Sequence, residues 1–490
     1  MKPTPATPAL GDMPVEQFRA AGHQLIDDIA NLWSRWDEVP VTSARPPGAL
    51  RDALPSTPPR NGESIDAILD DVQRQVLPHM THWTHPSFFA YFVSSGSGPG
   101  ILGELLATTL NPNCMTWLAC PAGTELEQVT LDWFRQMLGL PDAFRGVIYE
   151  GASSSSYYAL AAAMASQDDL EIRERGMAGR ADLPPLAVYT SVQAHSSIEK
   201  AAIGAGLGQQ AVRKIPLDGD FRMSPHALAE AIAADRTRGV RPLAVVATAG
   251  TTSTSAIDPV PALADICARE KVWLHVDAAY GGSAAIAPEF RHVLAGAERA
   301  DSVVVNPHKW LFVPLDLSAF YTTRPETLVQ AFSLLPAYLR DTSGAGEANY
   351  MDYGLTLGRR FRALKLWFVL RYFGWDGLAA RIRANIELAR RFAGWIDDHP
   401  TLVRVAPVPL GLVCFRLEPP GVTDAAELNA LNQRLLGAIN ASHEVLLTHT
   451  ELDGRFVIRF VVGSIRTEPR HVERAWAIVR RAAERLANPA

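Results

Sequence analysis

Between about residues 100 and 322 the chain alternates helix-like stretches with short runs that are apolar almost throughout: LAVYTS, AVRKIP, PLAVVATAG, VWLHVDAAY, DSVVVNP and LSAFYTT. Strands buried on both faces read this way. Separated by helical patterns, they predict βαβ units and an α/β fold with a mainly parallel sheet. Ligands of such sheets bind beyond the carboxyl ends of the strands. The polar residues that directly follow these runs are therefore the ones to examine.

The flanks have other periods. Phe18, Leu25, Ile26, Ile29 and Leu32 fall near helical spacing and predict a helix from Val15 to Trp33. The proline-rich stretch VPVTSARPPGALRDALPSTPPRNGE predicts an extended connector, because proline blocks regular hydrogen bonding. Ser64, with Ile65, Ile68, Leu69 and Val72 behind it, opens another helix. These N-terminal helices have little to form a core of their own and are expected to pack elsewhere, as on a second subunit. After Arg359 come two helices, FRALKLWFVLRYFG and Leu378 to Asp398. Strand-like LVCFRLE, VLLTH and FVIRFVV, helix-like AAELNALNQRLLGAIN and a last helix from Pro469 to Leu486 make a small α+β domain.

Composition narrows the function classes. The 490 residues carry a formal net charge of -6, which gives no reason to expect nucleic acid or an anionic membrane as partner. Cys114, Cys120, Cys267 and Cys414 are scattered and form no C-x-x-C pair, so buried free thiols in a reducing compartment are expected, with no zinc site. MKPTPATPALGD lacks the basic-then-apolar order of a signal peptide, and no apolar stretch approaches a bilayer span; a cytoplasmic protein is expected. His79, His82 and His85 share a spacing of three, but Pro86 ends any helix there, and no metal is expected. GAGLG at Gly204 to Gly208 follows a helix instead of a strand, so it fails as a dinucleotide loop.

The strand ends carry the chemistry. Lys309 in VNPHKW follows an apolar run, and a desolvated lysine is a usable amine nucleophile. Asp277 ends VWLHVD; a carboxylate there requires a cation or hydrogen bonds, and a protonated ring nitrogen is such a cation. Ala278, Ala279, Gly281 and Gly282 leave room for a flat ring. Gly151 to Ser155 stand between a short strand and an alanine-rich helix, where free N–H groups form an anion site. His195 and Thr248 also follow strands, and an imidazole at His195 could stack on a ring. An anion site, a stacking ring, a carboxylate and a lysine are what a pyridoxal phosphate site requires.

Beyond these residues, HPSFFAYF, PAGTELE, QAHSS, ATAGTT, LHVDAAYGGSA, NPHKW, LGRRFRALKLW and VIRFVVGS make the chain resemble the group II pyridoxal-phosphate decarboxylases, and among them the aromatic-L-amino-acid decarboxylases, from about Met13 to the last helix. The resemblance implies fold-type I, a mainly parallel seven-stranded sheet with helices on both faces, and a homodimer with active sites at the interface. It implies an N-terminal helical extension over 1–85 packing on the partner subunit, a large cofactor domain over 86–372 and a small domain over 373–490. It implies that Lys309 carries the cofactor, that Asp277 binds the ring nitrogen, that His195 stacks on the ring opposite Ala279, that Ala152, Ser153, Asn306 and His308 hold the phosphate and that Thr248 contacts the cofactor.

By the same resemblance Tyr338, in LLPAYLRDTSGAGEANY, is the candidate proton donor, within a lid over Arg340 to Asn349; relatives with phenylalanine there make aldehydes. The substrate would meet Trp83, Tyr91, Phe92, Ser94, His195 and Met115 from the partner subunit; Gly358 resembles the glycine of indole-accepting plant relatives. The expected reaction turns tryptophan, tyrosine, phenylalanine or dopa into the amine and carbon dioxide. An aldehyde-forming oxidative decarboxylase and a decarboxylase of another amino acid are the alternatives. Arg459 could clamp a carboxylate or serve an internal ion pair; the second is expected, since this reaction releases that group.

Overall fold

The computed structural model describes residues 11–334 and 348–487. Seven strands form the large sheet: β1 (Arg145–Tyr149), β2 (Leu186–Ser191), β3 (Val212–Ile215), β4 (Arg241–Thr248), β5 (Trp273–Asp277), β6 (Ser302–Val305) and β7 (Ser318–Thr322). Their order is β1-β7-β6-β5-β4-β2-β3. Neighbours from β6 to β3 run parallel, whereas β7 is antiparallel to both β1 and β6. Two reversals cancel, so β1 points the same way as β6. The carboxyl ends of β1, β2, β4, β5 and β6 therefore share one edge, and the start of β7 joins them there. The expected α/β sheet of seven strands is present. β2, β4, β5, β6 and β7 are buried almost throughout, as the apolar runs require.

The helix Arg362–Asp397 links two cores. Leu366, Val369, Ile382 and Ile386 join the core of the large sheet, and Leu388, Phe392 and Ile396 join that of the C-terminal sheet. The backbone leaves helical geometry at Gly374 (φ 64°), which is why the sequence reads as two helices. The C-terminal sheet is antiparallel, in the order β10-β11-β9-β8: β8 (Leu402–Arg404), β9 (Leu412–Leu417), β10 (Thr448–Leu452) and β11 (Arg455–Val461).

Three local expectations need correction. β8 was not foreseen; it is three residues long, too short to show a period. The strand expected at VLLTH begins only at Thr448, because Asp453 (φ 50°) and Gly454 (φ 74°) form a two-residue turn that sets the register Leu452 to Arg455. The proline-rich connector contains a short helix, Ala49–Ala53.

The helix Val15–Ser34 has no buried residue; Val15, Phe18, Leu25 and Ile26 are exposed. The chain beyond this helix is pinned to its own C-terminal domain: the Val41 N–H donates to the His443 carbonyl (2.8 Å) and the Phe89 N–H to that of Leu446 (3.0 Å). Among the histidines, the His85 ring bonds the carbonyls of Trp36 and Val39, and the His79 ring that of Gln75.

Gly281, after β5, lies against the β4 end: a Cβ there would stand 2.4 Å from the Ala249 carbonyl oxygen. Backbone cannot yield as a side chain does. Gly281→Ala is expected to destabilise by about 1–3 kcal/mol, read as a lowered Tm. Gly437→Ala, on a helix with nothing within 4 Å, is expected to leave Tm level or raise it.

Candidate active site

The shared edge gathers the expected residues because strand register places them there. Thr248 pairs with Asp277, and Asp277 with Val304, so the ends of β4, β5 and β6 are adjacent. The connections beyond are knitted together: the Ala249 N–H donates to the Asp277 carbonyl (2.9 Å) and the Asn306 N–H to that of Ala279 (3.1 Å). Asp258 fixes the β4 end from behind, accepting the N–H of Thr248 on one oxygen and of Met223 on the other (2.7 Å each). Burial pushes its carboxyl up to about 6.

Lys309 lies in the short helix Pro307–Trp310 after β6. Burial pulls its ammonium below the usual lysine range, and the Asp277 carboxylate acts in the opposite sense. Asp277 is 5% exposed and accepts the Ala279 N–H on Oδ1 (3.1 Å). Among the described residues the two form no direct ion pair, so an amine and a carboxylate stand near each other, neither with a charged partner.

His195 follows β2. Its Nδ1 accepts the Ser197 N–H (3.1 Å), so the neutral ring carries its proton on Nε2. Desolvation by the surrounding protein and the nearby Lys309 lower its pKa, which favours the neutral ring, although the residue is exposed. The Thr248 hydroxyl at the β4 end is buried without a hydrogen-bond partner among the described residues. After β1, the helix Ala152–Ala165 opens at Gly151, and its first backbone bond runs from the Ser155 N–H to the Gly151 carbonyl. The N–H groups of Ala152, Ser153 and Ser154 are thus left for an anion.

The residues assigned to the substrate fall into three groups. Phe92 faces Lys309, whose Nζ is 5.6 Å from the ring centroid. Phe92 stacks on Tyr280 (3.7 Å), which stacks on Trp310 (4.6 Å). Trp83 and Tyr91 stack on each other (5.2 Å) and stay 42% and 53% exposed, with Ser94 half-buried on the same segment. Met115 and Gly358 gather around Asn113: its Oδ1 accepts the Arg359 N–H (3.0 Å) and its Nδ2 points at the Met115 sulfur (3.4 Å). Asn113 and Gly358 line a cavity of about 390 Å³. Tyr338 lies outside the described residues, as does the expected lid except for Ala348 and Asn349.

The ion pair expected for Arg459 is not found among the described residues. Its guanidinium is 3% exposed, bonds the Thr448 hydroxyl (2.9 Å) and pairs with no carboxylate among the described residues. Nε and Nη2 have no partner, and the group sits 5.5 Å from the centroid of Phe92. Ser318, at the start of β7, was not anticipated: it bridges Ser155 (3.0 Å) and Asn306 (2.7 Å). Its signal is the register Tyr149 to Ser318, visible only once β1 and β7 are paired.

The conserved domain of the pyridoxal-dependent decarboxylases matches residues 47–418. The chain belongs to that family. It is 40% identical over 489 residues to tyrosine decarboxylase 4 of Petroselinum crispum, covering 97% of this chain and 95% of that one. It is 39% identical over 483 residues to tryptophan decarboxylase 2 of Oryza sativa subsp. japonica, covering 96% and 95%. Its fold matches the crystal structure of Oryza sativa TDC with PLP and tryptamine at a TM-score of 0.93 and 36% identity, covering 98% of this chain and all of that one.

The residues present fit the family's cofactor. The unpartnered Thr248 hydroxyl, the free amides at Ala152 to Ser154, and Lys309 and Asp277, neither with a charged partner among the described residues, are the donor set that pyridoxal phosphate needs for its ring, phosphate and aldehyde. Borohydride reduction of the holoprotein is expected to leave a pyridoxyl group on the peptide bearing Lys309, read by mass. An adduct on another lysine would overturn the assignment.

Proposed function

We propose that this protein decarboxylates aromatic L-amino acids to the corresponding amines and carbon dioxide. The observation that carries the reading is Phe92, an aromatic wall backed by Tyr280 and Trp310 beside the Lys309 amine. A wall of this kind suits a flat apolar side chain. Relatives of nearly equal identity are named for tyrosine and for tryptophan, and both support the class. Bound pyridoxal phosphate supplies a cationic ring that accepts the electrons left when carbon dioxide departs.

The chain's residues do the rest. Lys309 holds the cofactor, and its lowered pKa favours the neutral amine. Asp277 keeps the ring nitrogen protonated by an electrostatic effect. His195 would lie against the ring and offer its Nε2 proton, and Ala279 would pack against the ring as well. Ala152, Ser153 and Asn306 would hold the phosphate, with His308 acting through Asn306, and Thr248 would bond the cofactor. Arg459 receives the substrate carboxylate, since its Nε and Nη2 find no partner among the described residues. Tyr338 delivers the proton to Cα.

The working unit is a homodimer. Leu102, Leu105, Leu106 and Leu110 form an exposed apolar stripe on one helix, and the helix Val15–Ser34 has its own uncovered residues. In this assembly Met115 and Gly358 line the partner's substrate pocket. Four free buried cysteines support a cytoplasmic, reducing setting.

Incubation of the holoenzyme with tryptophan, tyrosine, phenylalanine, dopa and glutamate is the decisive assay. Amine and carbon dioxide are expected from at least one aromatic substrate; turnover of glutamate alone would overturn the reading. In the same assay Tyr338→Phe is expected to divert product from amine toward aldehyde, and an unchanged amine yield would remove Tyr338 from the mechanism. Arg459→Gln is expected to raise KM at least ~10-fold, the scale of one charge-assisted hydrogen bond. An unchanged KM would leave Arg459 a packing role.

A further inference from the structure

Four buried side chains link the anion loop to the lysine-bearing helix. The Leu317 N–H donates to His308 Nδ1 (2.9 Å). His308 Nε2 lies 3.3 Å from Asn306 Nδ2, and the Ser318 hydroxyl lies 2.7 Å from Asn306 Oδ1. Ser318 Oγ is 3.0 Å from Ser155 Oγ. None of the four residues is more than 6% exposed.

Proton counting gives this chain a direction. A backbone N–H only donates, so His308 Nδ1 carries no proton. Burial keeps the ring neutral, pulling its pKa down to about 3. Its proton is therefore on Nε2, which must donate. The Asn306 group facing a donor has to be the carbonyl oxygen, so the amide is turned over from that placement; its oxygen and nitrogen are told apart only by such reasoning. Asn306 Nδ2 then faces Ser318 and donates to its oxygen. Ser318 in turn has one acceptor left for its own hydrogen, Ser155 Oγ. The Ser155 hydrogen is thereby left over, in a buried place where an unmet donor is costly. With the amide the other way round, two donors would face each other and Ser155 would give its hydrogen inward to Ser318.

We infer that Ser155 is a further donor to the cofactor's phosphate, and that Ser318 is a positioning residue acting through it. Ser155 stands in the first turn of the helix whose opening amides are free, which places its hydroxyl at the helix end assigned to the phosphate. The inference rests on the assignment of pyridoxal phosphate to this site and extends the phosphate set by one hydroxyl.

The test is the affinity of apoprotein for pyridoxal phosphate and for pyridoxal, which lacks the phosphate, both followed by absorbance. Ser155→Ala is expected to weaken pyridoxal phosphate at least ~10-fold while leaving pyridoxal unchanged. Ser155→Thr, which keeps the hydroxyl, is expected to restore most of the loss. Ser318→Ala is expected to show the same selective loss, smaller in size. Equal affinity of wild type and Ser155→Ala for pyridoxal phosphate would overturn the inference, as would an equal loss for both ligands. A wild type that binds neither ligand would instead sink the cofactor assignment, and this inference with it.

Discussion

A buried amine and a buried carboxylate that stand close without touching form an expensive pair. Left to relax, Lys309 and Asp277 would close into an ion pair or draw in water. What holds them apart is backbone. Asp277 ends β5 with its oxygen engaged by the Ala279 N–H, and Lys309 belongs to a turn tied to that same residue through the Asn306 N–H. Other features of the site serve this restraint: Asp258 clamps β4 beside it, and the Phe92–Tyr280–Trp310 stack walls Lys309 from one side.

The reversal of β7 is the second structural condition. With β7 antiparallel to both neighbours, β1 joins the common direction, and the helix after it opens on the edge where Lys309 lies. The same reversal puts the first residue of β7 between the ends of β1 and β6. Ser318 can bridge the two loops only from that position. A parallel strand there would present its last residue instead, and the anion loop and the lysine helix would have no buried connection through it.

These two conditions explain what was legible in the sequence. Each residue at a strand's carboxyl end announces itself by following an apolar run, and so Lys309, Asp277, Thr248, His195 and the Gly151–Ser155 loop could be read directly. Their adjacency is legible too, because parallel strands share an edge. Ser318 begins a strand, where nothing local marks it, and its role depends on pairings between segments 169 residues apart in sequence (318 minus 149). β8 and the start of β10 were missed for a similar reason: a three-residue strand has no period, and the Asp453–Gly454 turn decides register more strongly than the apolar run before it. The Arg459 ion pair expected from sequence has no partner among the described residues, and sequence cannot reveal such an absence. An arginine in an apolar strand implies a counter-charge, and here the chain supplies none among its described residues.

The two histidines at the site show one physical device used twice. At His195 the Ser197 N–H engages Nδ1, and at His308 the Leu317 N–H does the same. In each case a backbone donor settles the tautomer and desolvation lowers the pKa, so the ring presents a single neutral N–H at Nε2. A neutral donor can sit near the Lys309 amine without opposing its charge and without competing with Asp277 for a cationic ring. Protonated imidazoles at these places would draw on the Asp277 carboxylate that the cofactor's ring nitrogen needs. The backbone therefore constrains Lys309 by position and by the charge state of its neighbours, and in both respects strand ends set the chemistry.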